Sequence, residues 1–325
     1  MNSNTNAITK PLVSVVTPVY QGEKYLTECI ESVIAQTYIN WEYVIVNNCS
    51  TDRSREIAVR YAKGDPRIRV VDNETFLTSF ENQNNALHKI SSESKYCKIL
   101  HADDWLFPEC IEKMVELSED HPNIGIVSSY VLSDNMVFGN GLPYTETAVP
   151  GSVPCKLWLL DGKYLFGNPS SLMIRSDLLR SRQQLYDETY INTDQLACFD
   201  LLRECDFGFI HQILSYVRIH EEQISSLANR CKIKALDKLI LLHYYGADHL
   251  TKEELSRCYK SVWSFYYRDV GRHIVKISKK ECWEYHQWCA LKMGYSFNTI
   301  VKKSIMLRMA AILKKPFAKL RSLTH

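Results

Sequence analysis

The run Leu12-Val-Ser-Val-Val-Thr17, largely β-branched and halted by Pro18, has the pattern of a strand buried on both faces of a parallel sheet. Tyr25, Ile30, Val33 and Ile34 then recur at near-helical spacing and predict an amphipathic helix over Lys24 to Gln36. A second strand, Tyr43 to Val46, ends in a polar stretch from Asn47 and Asn48 to Asp52. A helix follows from Arg53 to Lys63, with Ser50 or Thr51 available to cap it. Strand Ile68 to Val71, helix Asn82 to Ile90, strand Tyr96 to Leu100 and helix Pro108 to Ser118 continue the alternation. Right-handed crossovers turn such a series into an open, mostly parallel α/β sheet, whose ligands bind beyond the carboxyl ends of the strands.

From Gly139 to Pro154 glycine and proline become frequent, which predicts a mobile loop over that end of the sheet. Further strands are expected at Ser171 to Ile174, Phe207 to Ile210 and Leu214 to Ile219, with a helix over Asp194 to Arg203. After Asn229 strand signals vanish and the chain reads as helices rich in Leu, Tyr and Trp. The expected division is therefore an α/β domain over 1–229 and a helical extension over 230–325.

Composition narrows the function classes. The 325 residues are 46% hydrophobic and 23% charged, enough to bury one large core and a smaller appendage. Lys and Arg total 39 against 37 Asp and Glu, so a formal charge of +2 offers no global field for nucleic acid. The eleven cysteines are odd in number and scattered without close metal-ligand pairs, which suits a reducing cytosol better than a disulfide framework. Met1 to Lys10 is polar and too short for a signal peptide, and no run approaches the roughly 20 apolar residues of a membrane span. A soluble or peripheral cytoplasmic protein is expected.

The sharpest chemical signal is Asp103-Asp104, directly after an apolar strand. Transfer from a nucleotide donor must stabilise a departing diphosphate, and a hard divalent cation held by carboxylates does so. A capping Asp before the next helix, with a solvated neighbour, would look the same in isolation.

The surrounding residues extend the pattern. Ser14-Val-Val-Thr-Pro-Val-Tyr20 with Gln21 to Leu26, Ile30 to Tyr38, Val46 to Asp52, and Leu100-His-Ala-Asp-Asp-Trp105 with Pro108 stand in order. Together they resemble the family-2 glycosyltransferases of the GT-A fold. The likeness is dense over about the first 110 residues. It thins through Gly167-Asn-Pro-Ser-Ser171 with Arg175, Asp194, and Tyr216-Val-Arg-Ile-His220 followed by Gln223 and Ser225.

This resemblance implies inverting transfer of a sugar from a nucleotide-diphosphate donor, a UDP-sugar first, assisted by Mn2+ or Mg2+. It assigns Pro18, Tyr20, Asn47 and Asp52 to the base and ribose, and Gln83 and Asn84 to the nucleotide. Ala102, Asp103, Asp104 and Arg218 fall to the donor, and Asp103 with His220 to the metal. Asp194 is implied as the base that takes the acceptor proton, with Asp187 and Glu188 as substitutes. Growing bacterial surface polysaccharides, often lipid-linked, are the implied acceptors.

The chain also departs from that pattern. Asn47 and Asn48 stand where many relatives carry two aspartates, and a carboxamide can still pair with a uracil edge. Gln83 replaces an arginine, His101 replaces the first carboxylate of Asp-x-Asp, and Thr193 replaces the Glu of a Glu-Asp pair. These changes keep open a catalytically silent sugar-nucleotide or polysaccharide-binding protein. A sugar nucleotidyltransferase fits less well, because Thr17 to Gly22 is not a glycine-rich phosphate loop. Finally, Val301 to His325 interleaves seven Lys and Arg with apolar residues and has no acid. That composition suits a peripheral helix on anionic lipid, or a terminal helix packed on the protein with a solvated basic face.

Overall fold

The computed structural model describes residues 10–219, 224–273 and 280–321, with backbone alone at 224–227, 273 and 313–321. The chain divides into two compact units, 1–219 and 220–325.

In the first unit, β1 (Val13–Val19), β2 (Trp41–Asn47), β3 (Ile68–Asp72) and β4 (Tyr96–Ile99) are parallel neighbours, in the order β3-β2-β1-β4. The connecting helices are α1 (Leu26–Ile34), α2 (Ser54–Gly64) and α3 (Ser79–Leu87). The apolar stripe of α1 buries Leu26, Cys29, Ile30 and Val33 against Val13, Val15, Tyr43 and Ile45. Each such aliphatic side chain contributes about 1.5 to 3 kcal/mol by leaving water. Helix α2 begins at Ser54; neither Ser50 nor Thr51 caps it, and Asp52 Oδ1 instead accepts from the Ser54 N–H. Thr78 and Glu81 form a reciprocal capping box on α3.

Beyond β4 lie β5 (Trp105–Leu106), α4 (Cys110–Asp120), β6 (Ile124–Ser133), β7 (Met136–Phe138), β8 (Ala148–Val149), α5 (Ser152–Asp161), a 3-10 turn at Pro169–Ser171, β9 (Met173–Arg175), α6 (Ser176–Arg180), α7 (Thr193–Leu201) and β10 (Asp206–Tyr216). The sheet continues β4-β9-β6-β10-β5, with β9 antiparallel to both neighbours. Because β9 runs backwards, the residues that enter it, Gly167 to Leu172, lie at the rim where β1, β4, β6 and β10 end.

Several expectations are corrected here. The two strands expected at Phe207 to Ile210 and Leu214 to Ile219 are one strand, β10, with register shifts against β6. Residues Gly139 to Pro154 are not simply a loop: Ala148 and Val149 pair with β10, and Pro154 lies inside α5. Strand β6, central to the sheet, has no counterpart in the sequence reading.

The second unit consists of α8 (Ile224–Cys231), α9 (Lys234–His249), α10 (Lys252–His273), α11 (Lys280–Lys292) and α12 (Phe297–Arg321). Cys231 and Cys282 form a disulfide between α8 and α11, whereas the cysteine pattern suited a reducing cytosol better than a disulfide framework. Helices α10 and α12 approach closely at Gly271, where a Cβ would stand 2.6 Å from the carbonyl oxygen of Ser304. No helix among the described residues is long and apolar enough to cross a membrane.

Candidate active site

The turn after β4 carries His101, Ala102, Asp103 and Asp104. Its backbone is fixed by the His101 N–H donating to Ser170 Oγ at 2.9 Å and the Asp104 N–H donating to the His101 carbonyl at 3.1 Å. One ligand atom from each of His101, Asp103 and Asp104 lies within 4.8 Å of the others. Two carboxylates and an imidazole at that spacing are a donor set that fits a divalent cation.

Asp104 is buried and ties three segments together. Its Oδ1 accepts from the backbone N–H of Arg218 at 3.0 Å, after β10, and its Oδ2 accepts from Asn168 Nδ2 at 3.1 Å, before β9. Burial, then the charge of Asp103, raise its pKa, and His101 and the hydrogen bonds oppose them. Sequence reasoning gave Asn168 no role; its place in the Gly167 to Ser171 motif was the available signal. Arg175, at the other end of β9, pairs with Asp177 at the opposite rim.

Arg218 is placed at the site by its backbone. Its guanidinium pairs with Glu28 and lies 4.4 Å from the Tyr25 ring centroid. His220, the expected second metal ligand, lies outside the described residues, as does Gln223.

Tyr20 and Gln21 open the turn after β1. Tyr20 is 52% exposed, and its ring meets Phe76, 58% exposed, edge to face at 4.9 Å. Phe76 follows β3 and was not anticipated. Pro18, two residues earlier, is half-buried on β1. Gln21 adopts φ 53°, and its Oε1 accepts from the N–H groups of Thr51 and Asp52, while Asp52 Oδ2 accepts from the Glu23 N–H at 2.9 Å. Asp52 therefore locks the β1 and β2 turns together. Burial pushes its pKa up, but hydrogen bonds from Ser54 and the Glu23 backbone outweigh that and leave it lowered. This double turn abuts the His101 to Asp104 segment, since a Cβ added at Gly22 would stand 3.4 Å from that of Ala102.

The carboxamides brace the rim. Asn47 donates to Asp72 Oδ1 at 2.9 Å and accepts from the Ser50 N–H. Asn48 accepts from the Leu77 N–H and donates to the Leu77 carbonyl. Asn84 accepts from the N–H groups of Leu185 and Tyr186 and donates to the Tyr186 carbonyl. Gln83 Oε1 lies 3.4 Å from His101 Nε2.

Asp194 occupies the first turn of α7, where backbone N–H groups and the helix dipole favour its charge. Burial nonetheless raises its pKa; the Gln195 and Asp194 backbone N–H groups and the field of His101 act in the other direction. The interaction with His101 brings Asp194 within electrostatic reach of the Asp103 segment. Asp187 and Glu188 are exposed and engaged elsewhere, Asp187 with Thr189 and Glu188 with the Thr78 hydroxyl.

Comparison with known proteins identifies the family. TuaG of Bacillus subtilis (strain 168), named for teichuronic acid biosynthesis, is 38% identical over 107 residues, which are 33% of this chain and 42% of TuaG's own length. An uncharacterized glycosyltransferase of Methanocaldococcus jannaschii is 31% identical over 218 residues, 65% of this chain and 71% of that protein. The crystal structure of S. aureus TarS 1–349 in complex with UDP-GlcNAc superposes with a TM-score of 0.61 at 19% identity, covering 86% of this chain and 80% of that one, a likeness of fold. The pattern of the Glycosyl transferase family 2 domain matches residues 14–180, just over half of the chain. With the motifs in order and the sheet arranged as in this fold, the chain belongs to glycosyl transferase family 2.

Proposed function

We propose that the chain transfers a sugar from a nucleotide-diphosphate donor, a UDP-sugar in the first instance, to an acceptor hydroxyl with inversion. The observation that carries this reading is the convergence of His101, Asp103 and Asp104 at one strand end, beside the Tyr20 turn and within the field of Asp194. TarS, whose fold the chain shares, binds UDP-GlcNAc, which supports the donor class.

In this reading Tyr20 and the Asn47 to Asp52 turn receive the base and ribose. Asp103, with His101 and Asp104, holds a divalent cation, Mn2+ or Mg2+, which supplies positive charge against the departing diphosphate. Asp194 accepts the acceptor's proton as its oxygen forms the new bond to the anomeric carbon. The bond from that carbon to the diphosphate breaks on the opposite face, and the nucleoside diphosphate leaves. TuaG's name supports a saccharide acceptor in bacterial surface polysaccharide synthesis.

A membrane-surface contact on the cytoplasmic side belongs to the same proposal. On α12, Ile300 and Ser304 are buried and Arg308 donates to the Gly271 carbonyl, so this i, i+4, i+8 face packs on α10. Ile305, Met309 and Ile312 form a different, exposed stripe with Met306. With Lys302 one turn before it and no acid after residue 297, the occupant it suits is an anionic bilayer. Sedimentation with phosphatidylglycerol vesicles, but not with phosphatidylcholine vesicles, is the expected result.

Release of UDP from a panel of UDP-sugars, with and without Mn2+, tests the main reading. Turnover abolished in Asp103→Asn supports it. Retained UDP binding without turnover on any sugar would instead leave a sugar-nucleotide-binding protein, and absence of both would reject the donor class.

A further inference from the structure

We infer that His101 gives the cation site a ring-nitrogen ligand, held in its metal-binding tautomer by Gln83, and that this makes the site favour Mn2+ and Co2+ over Mg2+. The inference rests on the donor-binding reading above and concerns which ion serves it.

The side chains of Gln83 and His101 touch each other. Oε1 of Gln83 lies 3.4 Å from Nε2 of His101. The other end of the Gln83 amide, Nε2, donates to Ser79 Oγ at 3.5 Å, so its oxygen is the atom turned to the imidazole. A carbonyl oxygen can only accept. The neutral His101 ring therefore carries its hydrogen on Nε2 and its lone pair on Nδ1, and its backbone is fixed by Ser170.

That is the support a metal-bound histidine requires, since its second ring nitrogen donates to an oxygen that sets tautomer and orientation. An arginine at 83 offers donors only and would bring a positive charge against the ligand.

The resulting set is one imidazole and two carboxylates, with ligand atoms within 4.8 Å of one another. Mg2+ demands oxygen ligands in near-ideal octahedral geometry, whereas imidazole suits transition ions. Replacing one carboxylate by nitrogen also removes a negative charge, which weakens the hold on a hard ion most.

The test uses the full chain with UDP as probe. Calorimetric titration with Mn2+, Co2+ and Mg2+ is expected to show Mn2+ and Co2+ binding about tenfold or more tighter than Mg2+. His101→Asp should bring Mn2+ and Mg2+ to within a few-fold of each other, and Gln83→Arg should weaken Mn2+ by about tenfold or more. Electron spin echo spectra of bound Mn2+, taken in a His220→Ala background so that this second imidazole does not contribute, should show imidazole nitrogen modulation that His101→Asp removes. The wild-type preference and the spectra of the His220→Ala protein are readouts that do not require the His101 variant to fold. Absence of nitrogen modulation, or an unchanged preference in folded His101→Asp, overturns the nitrogen assignment while UDP and cation binding leave the donor reading standing. A protein that binds neither UDP nor any of the cations overturns both.

Discussion

Nζ of Lys98 donates to the backbone oxygen of Ser170 at 2.5 Å from inside the sheet, where the lysine is wholly buried. It also donates to the Leu172 carbonyl at 3.1 Å. Burial lowers its pKa, and Cys110, Asp104 and Cys97 act against that. The turn it grips is the one whose Ser170 hydroxyl holds His101 and whose Asn168 holds Asp104. Lys98→Met leaves two buried carbonyls without their donor, and a loss of about 3 kcal/mol in denaturant unfolding is expected. A change below about 0.5 kcal/mol, the range of ordinary surface substitutions, would show that the clamp is not needed.

Much of this arrangement was legible because β1 and β2 are largely apolar, β-branched runs buried along almost their whole length, and the shorter β3 and β4 continue the alternation with helices that they begin. Strand β6 escaped notice for the converse reason. Ser128, Ser129 and Ser133 interrupt its apolar pattern yet are buried, with Ser128 donating to the Phe166 carbonyl. Pro154 reads as a loop residue, although a helix tolerates proline in its first turn, where N–H groups have no intrahelical partner. At the candidate site, Asp103 and Asp104 stand out in the sequence because paired carboxylates directly after an apolar strand are conspicuous, whereas Asp194 is singled out only by the family resemblance. Asn168, Lys98 and Phe76 do not stand out, since each acts through a neighbour distant in sequence. The Cys231–Cys282 pairing depends on the packing of α8 against α11, which no spacing rule reveals.

As the proposed base, Asp194 is expected to set the acid limb of the pH–rate profile. A base must be ionised to accept a proton, and burial raises this carboxyl above its ordinary value. Activity is therefore lost as pH falls through that raised pKa, so the acid limb of kcat/KM lies above the usual aspartate range. Asp194→Asn should reduce turnover by about a hundred- to ten-thousandfold while UDP binding is retained. Unchanged turnover would remove Asp194 from the reaction.

Gly167 holds φ +69°, and a Cβ there would lie 2.2 Å from Ser171 Oγ. The serine hydroxyl is already committed to the carbonyls of Phe166 and Asn168, so it cannot swing away without loss. Gly167→Ala should cost about 2 kcal/mol from the left-handed backbone and the crowding together. It should also lower turnover, because Asn168 is the next residue and steadies Asp104. Full activity with an unchanged melting temperature would mean that the turn relaxes freely.

Reduction of the Cys231–Cys282 bridge is expected to destabilise the helical unit. The bond spans 51 residues, and closing a loop of that length restricts the unfolded chain by about 2 to 4 kcal/mol. Cys282→Ser should lower the unfolding midpoint to that of the reduced wild type. If dithiothreitol leaves the wild-type transition unmoved, the link contributes nothing to stability.

His286 gives the same unit a pH dependence of defined sign. Its buried ring lies between the Tyr266 hydroxyl, 2.8 Å from Nδ1, and the Cys231 carbonyl, 2.8 Å from Nε2. The carbonyl requires hydrogen on Nε2, so Nδ1 accepts from the tyrosine and the neutral ring is fully satisfied. Burial, the largest effect, lowers its pKa below 6.5, and the Cys231 carbonyl and Asp269 oppose the shift. The unfolded chain consequently binds a proton at a higher pH than the folded one, and stability falls as pH drops below about 6.5. Urea unfolding of wild type between about pH 7.5 and pH 5 should show that loss, and His286→Gln, which does not titrate, should lack the part this ring contributes. Equal pH slopes for the two proteins would show that His286 is protonated as readily folded as unfolded.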